Sequence, residues 1–164
     1  MQASILEIIL VFIMFSPQID SQKEGWRGII PLHATIDDVV RVLGHGSEEP
    51  NKSFQFYKTP SENISIRYSE GPCVGATGWN VPLNTVIDIS IYPQPHGRVK
   101  IADLKIDKAK FRREDDSHLP GHYYLINEDD GITIYVFKEQ TTGEHHVSGF
   151  NYGPIAKDKD LRCK

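Results

Sequence analysis

One short amphipathic stripe constrains this chain more than any other feature. Ile36, Val39, Val40 and Leu43 fall at i, i+3, i+4 and i+7, the spacing of a single helix face. Both helix ends are written into the flanking residues. Thr35 is placed to cap the N-terminus through its hydroxyl, and Asp37 and Asp38 suit the positive end of the dipole. Gly44 can adopt the left-handed conformation that closes the last turn. A helix of eight or nine residues does not persist alone in water, so its stripe requires a partner surface. Val39 and Leu43 are therefore expected to be buried.

The rest of the chain supplies that surface as strands. Ser53 to Lys58 and Asn63 to Tyr68 alternate around a Thr-Pro-Ser-Glu turn. Val86 to Tyr92, VIDISIY, is the clearest strand, stopped by Pro93 and Pro95. His122 to Asn127 and Ile132 to Phe137 form a hairpin through Asp130-Gly131, and a last strand runs from about His146 to Tyr152. Glu70 to Thr85 reads as a long Gly- and Pro-punctuated loop. Arg98 to Phe111 is weakly apolar, with one helical turn near Ala102 to Leu104, and Arg112 to Pro120 reads as a charged loop. One helix followed by strands joined by short turns argues for an α+β, two-layer fold. Its antiparallel sheet would have about six strands, with the short N-terminal helix packed on one face. The core-facing set would be Ile64, Ile66, Ile87, Ile89, Ile91, Ile132, Ile134 and Val136.

At 164 residues the chain suits one domain with a real core. Ile8 to Phe15 is an unbroken apolar run, too short to span a bilayer, and Ser16-Pro17 breaks it. Residues 1–21 therefore read as a signal peptide, with cleavage after Ser21, and 22–164 as a single α+β domain. The alternatives are retention of the run as an uncleaved anchor and a cytosolic protein. The formal net charge is −4; residues 1–21 hold Glu7 and Asp20 and no basic group, leaving −2 on the remainder. No concentrated basic patch is present to recruit nucleic acid or an anionic membrane, and the mature chain is expected to make no stable membrane insertion. Cys73 and Cys163 form an even pair in an exported chain, which reads as a disulfide; two unrelated free thiols are the alternative. The location implied is extracytoplasmic, either periplasmic or secreted.

Certain motifs carry a resemblance. GWRGIIPLHATIDDVVRVLG, followed by GPC, GWNVP, LPG, YGP and DLRC, resembles a family of exported, acidobacterial-type bacterial proteins of uncharacterised function. More distantly, a turn, a short helix and Leu-Gly before a meander resembles the small outer-membrane assembly lipoproteins and the β-lactamase-inhibitor protein fold. Neither likeness implies a particular activity.

Chemistry-bearing clusters are few. His118 and His122 have helical zinc spacing, but Pro120-Gly121 lies between them. His145 and His146 are adjacent on a strand and point to opposite faces. Glu144 and His146 share a face, yet two ligands make half a site. Glu128 to Gly131 lacks the oxygen pattern of a calcium loop, and no nucleophile elbow or phosphate-cradling loop appears. No metal ligands, catalytic residues or cofactor are assigned on this basis.

What remains is a surface. The residues alternating with the core set include Tyr57, Ser65, Arg67, Asp88, Ser90, Tyr92, Tyr135, Phe137, Phe150 and Tyr152. Tyrosine gives large, rigid contact area with a polar tip. Tyr57, Arg67, Asp88, Tyr92, Tyr135, Phe137 and Tyr152 are the candidate binding residues. The partner expected is another protein or an envelope component. The bland alternative is that tyrosine is simply a good strand residue and that the segment from Arg98 to Pro120 covers the face. The functional expectation is a non-enzymatic extracytoplasmic binding module. The alternatives are a small loop-built hydrolase or metal-dependent enzyme around Trp79-Asn80 and the histidines, and a purely structural envelope domain.

Overall fold

A computed structural model describes residues 25–47, 53–74, 78–97 and 99–164. The expected export signal, residues 1–21, lies outside them. The helix α1 forms at Ile36–Leu43. Its N-terminus is tied by a single carboxylate: Asp38 Oδ2 accepts from both the Thr35 backbone N–H, at 2.8 Å, and the Thr35 hydroxyl, at 2.9 Å. The hydroxyl also donates to Asp38, so Thr35 and Asp38 form a reciprocal capping box. These bonds, with the neighbouring Arg41 guanidinium, hold the Asp38 carboxyl below the ordinary aspartate range. Gly44 closes the helix at φ 78°, its N–H donating to Val40.

Seven strands follow: β1 Phe54–Lys58, β2 Glu62–Tyr68, β3 Val86–Pro93, β4 Arg112–Asp115, β5 His122–Asn127, β6 Ile132–Lys138 and β7 His145–Tyr152. They form one antiparallel sheet in the order β1-β2-β3-β7-β6-β5-β4. Two meanders, β1–β3 and β4–β7, are therefore sealed at β3 and β7, through the pairs Ile89 with Tyr152, Ser90 with Asn151, and Ile91 with Phe150. Over the described residues the fold is mostly a single antiparallel sheet with one short α-helix, and the sheet has seven strands rather than about six. The additional strand is β4, Arg-Arg-Glu-Asp, which pairs with β5 where a charged loop was expected. It is an edge strand with every side chain exposed, so it carries no apolar alternation.

One face of this sheet is covered. Ile64, Ile66, Ile89, Ile91, Ile134 and Val136 line it, joined by Tyr68, Phe150 and Tyr152. Val39 of α1 is fully buried against them, while Ile36 and Leu43 are only partly buried, so the expected burial of Leu43 is incomplete. The β3–β4 connection shares the same face. Val147 N–H donates to Val99 at 2.8 Å. Beyond that bond Leu104 is buried in the core, and Ile101, Ile106 and Phe111 pack against it. That shared packing answers where the segment after residue 98 lies.

Ile87 departs from the expected core set. A register shift at Arg67/Tyr68 leaves Val86, not Ile87, paired with Tyr68. Ile87 instead packs in a smaller cluster with Leu32 and Val81, flanked by Trp79 and Leu161. That cluster holds the C-terminal tail, helped by the Asn80 N–H donating to Leu161 and the Cys163 N–H donating to Gly78. Cys73 and Cys163 are disulfide-bonded, with their Cα atoms 5.7 Å apart. A disulfide fits an oxidising compartment outside the cytoplasm. Among the described residues, no helix is long and apolar enough to cross a membrane.

Candidate functional site

The second face of the sheet follows from strand period and register alone. Residues directly opposite one another share a face, and each strand alternates. If Ile64, Ile91 and Ile134 point to the core, then Ser65, Ser90, Asn151 and Thr133 line up across the other side. The flanking row reads Asn63, Tyr92, Gly149, Tyr135, Tyr124 and Glu114. α1 and the apolar residues of 99–111 pack on the opposite face, and Lys100 meets this side only at its far end, through Glu144.

Aromatic rings dominate this surface. Tyr124 and Tyr135 meet edge to face, with centroids 5.5 Å apart, and the Tyr124 hydroxyl donates to Asp116. Tyr92 lies beside Gly149, where an added Cβ would come within 3.1 Å of the tyrosine ring and of the Ile91 carbonyl oxygen. Glycine at 149 is thus what lets Tyr92 lie close to the sheet. Tyr92 and Phe56 remain 44% and 55% exposed. Tyr135 is half-buried between its neighbours, and that burial pushes its phenol above the ordinary range.

Two further groups complete the face. The Arg67 Nε donates to Asp88 Oδ2 at 2.7 Å, a cross-strand ion pair between β2 and β3. Burial pushes the Asp88 carboxyl up, and the Arg67 guanidinium offsets this only in part. At the other end Phe137 is surrounded by imidazoles: His96 stacks at 4.9 Å, His146 at 5.5 Å and His122 at 6.1 Å. A groove of about 730 Å³ begins beside Tyr92 and Ser65 and wraps around the β1 edge past Phe56 towards Leu43.

Of the residues expected on this surface, Arg67, Asp88, Tyr92, Tyr135 and Phe137 are brought together, as are Ser65 and Ser90. Tyr57 and Tyr152 are not; nor is Phe150. Tyr57 lies opposite Ile64, and Tyr152 lies between Ile89 and Ile132, so both point into the core and are 8% and 7% exposed. The Tyr57 hydroxyl is satisfied inside, where it and the Tyr68 hydroxyl donate to Gln55 Oε1 at 2.6 and 2.9 Å. Phe56, Tyr124 and His122 were missed on the open face. The hairpin signal at Asp130-Gly131 could have found Tyr124 and His122, because it fixes their parity against Ile134.

No protein-family model matches the chain, and no curated protein does. Among solved structures it is similar to YjgB, a DUF4309-family protein of Bacillus subtilis. The TM-score is 0.50, at 11% identity, over 81% of this chain and 90% of that one. At that identity the likeness concerns the fold alone.

Proposed function

We propose that this protein is a non-enzymatic extracytoplasmic binding module, periplasmic or secreted, that captures a protein partner on the uncovered sheet face. The observation that carries this reading is the row of Tyr92, Tyr135 and Tyr124, left without a covering element among the described residues. Rigid aromatic groups beside Ser65, Ser90, Asn151 and the cross-strand Arg67–Asp88 pair offer apolar area and hydrogen-bonding tips together. That mixture is the chemistry of protein recognition surfaces. The resemblance to exported bacterial proteins belongs to the same proposal.

The loop that an enzymatic reading would need is otherwise engaged. Trp79 packs on the small Ile87 cluster with Arg162 over its ring, and the Asn80 N–H is bonded to the tail. A photo-crosslinking side chain at Phe56 or Tyr92, compared with one at the equally exposed Leu119, tests the binding reading in the exporting host. One discrete adduct from positions 56 and 92, absent from position 119, is the expected result. Indistinguishable adducts from all three positions would sink it.

A further inference from the structure

The β6–β7 hairpin carries a second feature, independent of the aromatic row. After Lys138 the chain turns through Thr141-Thr142-Gly143 and re-enters the sheet at His145. The Glu139 N–H donates to Glu144 and the Gly143 N–H to Glu139, both at 2.8 Å, so the two glutamates face each other across the turn. Phe137 pairs with His146. Alternation then puts Glu139, Glu144 and His146 on one side of the hairpin. The sequence reading had paired Glu144 with His146; the turn supplies Glu139 as the third group.

The geometry is that of a ligand set. His146 Nε2 lies 3.6 Å from Glu139 Oε2 and 3.7 Å from Glu144 Oε2. One donor atom from each of the three residues lies within 4.8 Å of the others. Ligands at about 2.0–2.2 Å from a tetrahedral ion are separated by roughly 3.4 Å, close to the two distances from His146. The imidazole is also anomalous in itself. Its side chain is 9% exposed, and neither ring nitrogen has a hydrogen-bond partner. A buried, unpaired nitrogen directed at two half-exposed carboxylates calls for a cation between them. The carboxylates are held from behind. Lys100 Nζ donates to Glu144 Oε1 at 2.8 Å, which leaves Oε2 for a ligand. The Thr142 hydroxyl donates to Glu139 Oε2 at 2.6 Å, which uses one lone pair of that oxygen and leaves the other for a ligand. Such outer partners orient ligating groups in metal sites.

We propose that Glu139, Glu144 and His146 form a site for a divalent first-row transition-metal ion of the zinc class. One imidazole with two carboxylates suits zinc, cobalt or nickel; calcium and magnesium prefer oxygen alone. The ion would sit at the tip of the hairpin, beside the Phe137 end of the open face, with room for water or a further ligand.

The test uses the full disulfide-bonded chain, stripped with EDTA, titrated with zinc chloride by calorimetry and with cobalt(II) by visible absorption. Saturable 1:1 zinc binding and cobalt d–d bands are expected. Glu139→Gln and His146→Gln should each weaken zinc binding at least about tenfold. His145→Gln, on the opposite face, should leave it unchanged. Glu139 is half-exposed, so its substitution keeps the fold and decides the question even if His146→Gln does not fold. Absence of saturable zinc binding, or binding that Glu139→Gln leaves intact, would overturn the site.

Discussion

Ile134 and Tyr135 are adjacent in β6, yet they belong to surfaces with different physics. Ile134 is fully buried between Leu125 and Phe150, on the face shared with α1 and the β3–β4 connection. Tyr135 lies on the uncovered side among tyrosines, hydroxyls and the Arg67–Asp88 pair, with a ring partner on only part of its surface. The covered face is dominated by Ile and Val, which gain from leaving water, and the hydroxyls of its buried Tyr57 and Tyr68 are met internally by Gln55. The uncovered face keeps polar tips that water or a partner can meet. One set of strands thus presents two chemically different faces, set by residue parity and by the register shifts that interrupt it.

Paired alanine substitutions probe that separation most directly. Ile134→Ala should cost roughly 2–5 kcal/mol in urea denaturation, the range for a buried large-to-small change. Tyr135→Ala should cost about 1 kcal/mol, since its ring is only partly buried and its loss opens no enclosed cavity. Equal costs would mean that the two faces are not energetically distinct. The helix offers the next contrast. Val39→Ala, at a fully buried position, should cost about 2–3 kcal/mol, and Leu43→Ala, at a partly buried one, about 1–2 kcal/mol. The reverse order would show that α1 leans on the sheet through its last turn.

A smaller effect separates the two environments by pH. Asp38 has its folded pKa lowered by the Thr35 bonds and Arg41. Its contribution is present above the unfolded value, about pH 4, and is lost as pH falls through the lower folded value. Asp88 has its folded pKa raised by burial. Its contribution is present below about pH 4 and declines as pH rises through the raised folded value. Asp38→Asn should therefore lower the melting temperature at neutral pH and flatten the acid limb. Asp88→Asn should leave the neutral melting temperature unchanged or raised, and remove the decline above about pH 4. Marked destabilisation of Asp88→Asn at pH 7 would mean that the Arg67 pair outweighs the burial of its carboxylate.

Much of this division was legible in the sequence, for reasons that particular residues make plain. VIDISIY alternates cleanly from Ile87 to Ile91, and Asp130-Gly131 fixes the β5–β6 hairpin, so the parity of Ile89, Ile91, Ile132 and Ile134 could be read directly. Parity failed where alternation carried no contrast or was interrupted. In β1 the aromatics Phe54, Phe56 and Tyr57 occupy both parities, and only pairing with Ile64 turns Tyr57 inward. In β7 a register shift opposite Tyr135/Val136 places Val147, Phe150 and Tyr152 on one face, a set no strict period of two can give. β4 has no apolar residue at all. The Glu139–Glu144–His146 grouping needed the turn geometry that sets 139 opposite 144.

The smallest stability effect belongs to the residue with the largest expected effect on binding. Tyr92 projects from β3 at the centre of the sheet, lies beside Gly149 and is 44% exposed. Removing its ring uncovers a little backbone and leaves no cavity in the core, so Tyr92→Ala should change stability by less than about 1 kcal/mol. A tyrosine placed centrally in an interface is the kind of residue that dominates affinity, and its loss there should weaken partner capture at least about tenfold. Tyr92→Phe, which keeps the ring and drops the hydroxyl, should recover most of the binding if apolar contact carries it. Should Tyr92→Ala bind as the parent does, the central row is not where the partner sits. The groove around the β1 edge, between Phe56 and Leu43, would then be the better place to look, and Phe56→Ala would be the substitution that separates the two surfaces.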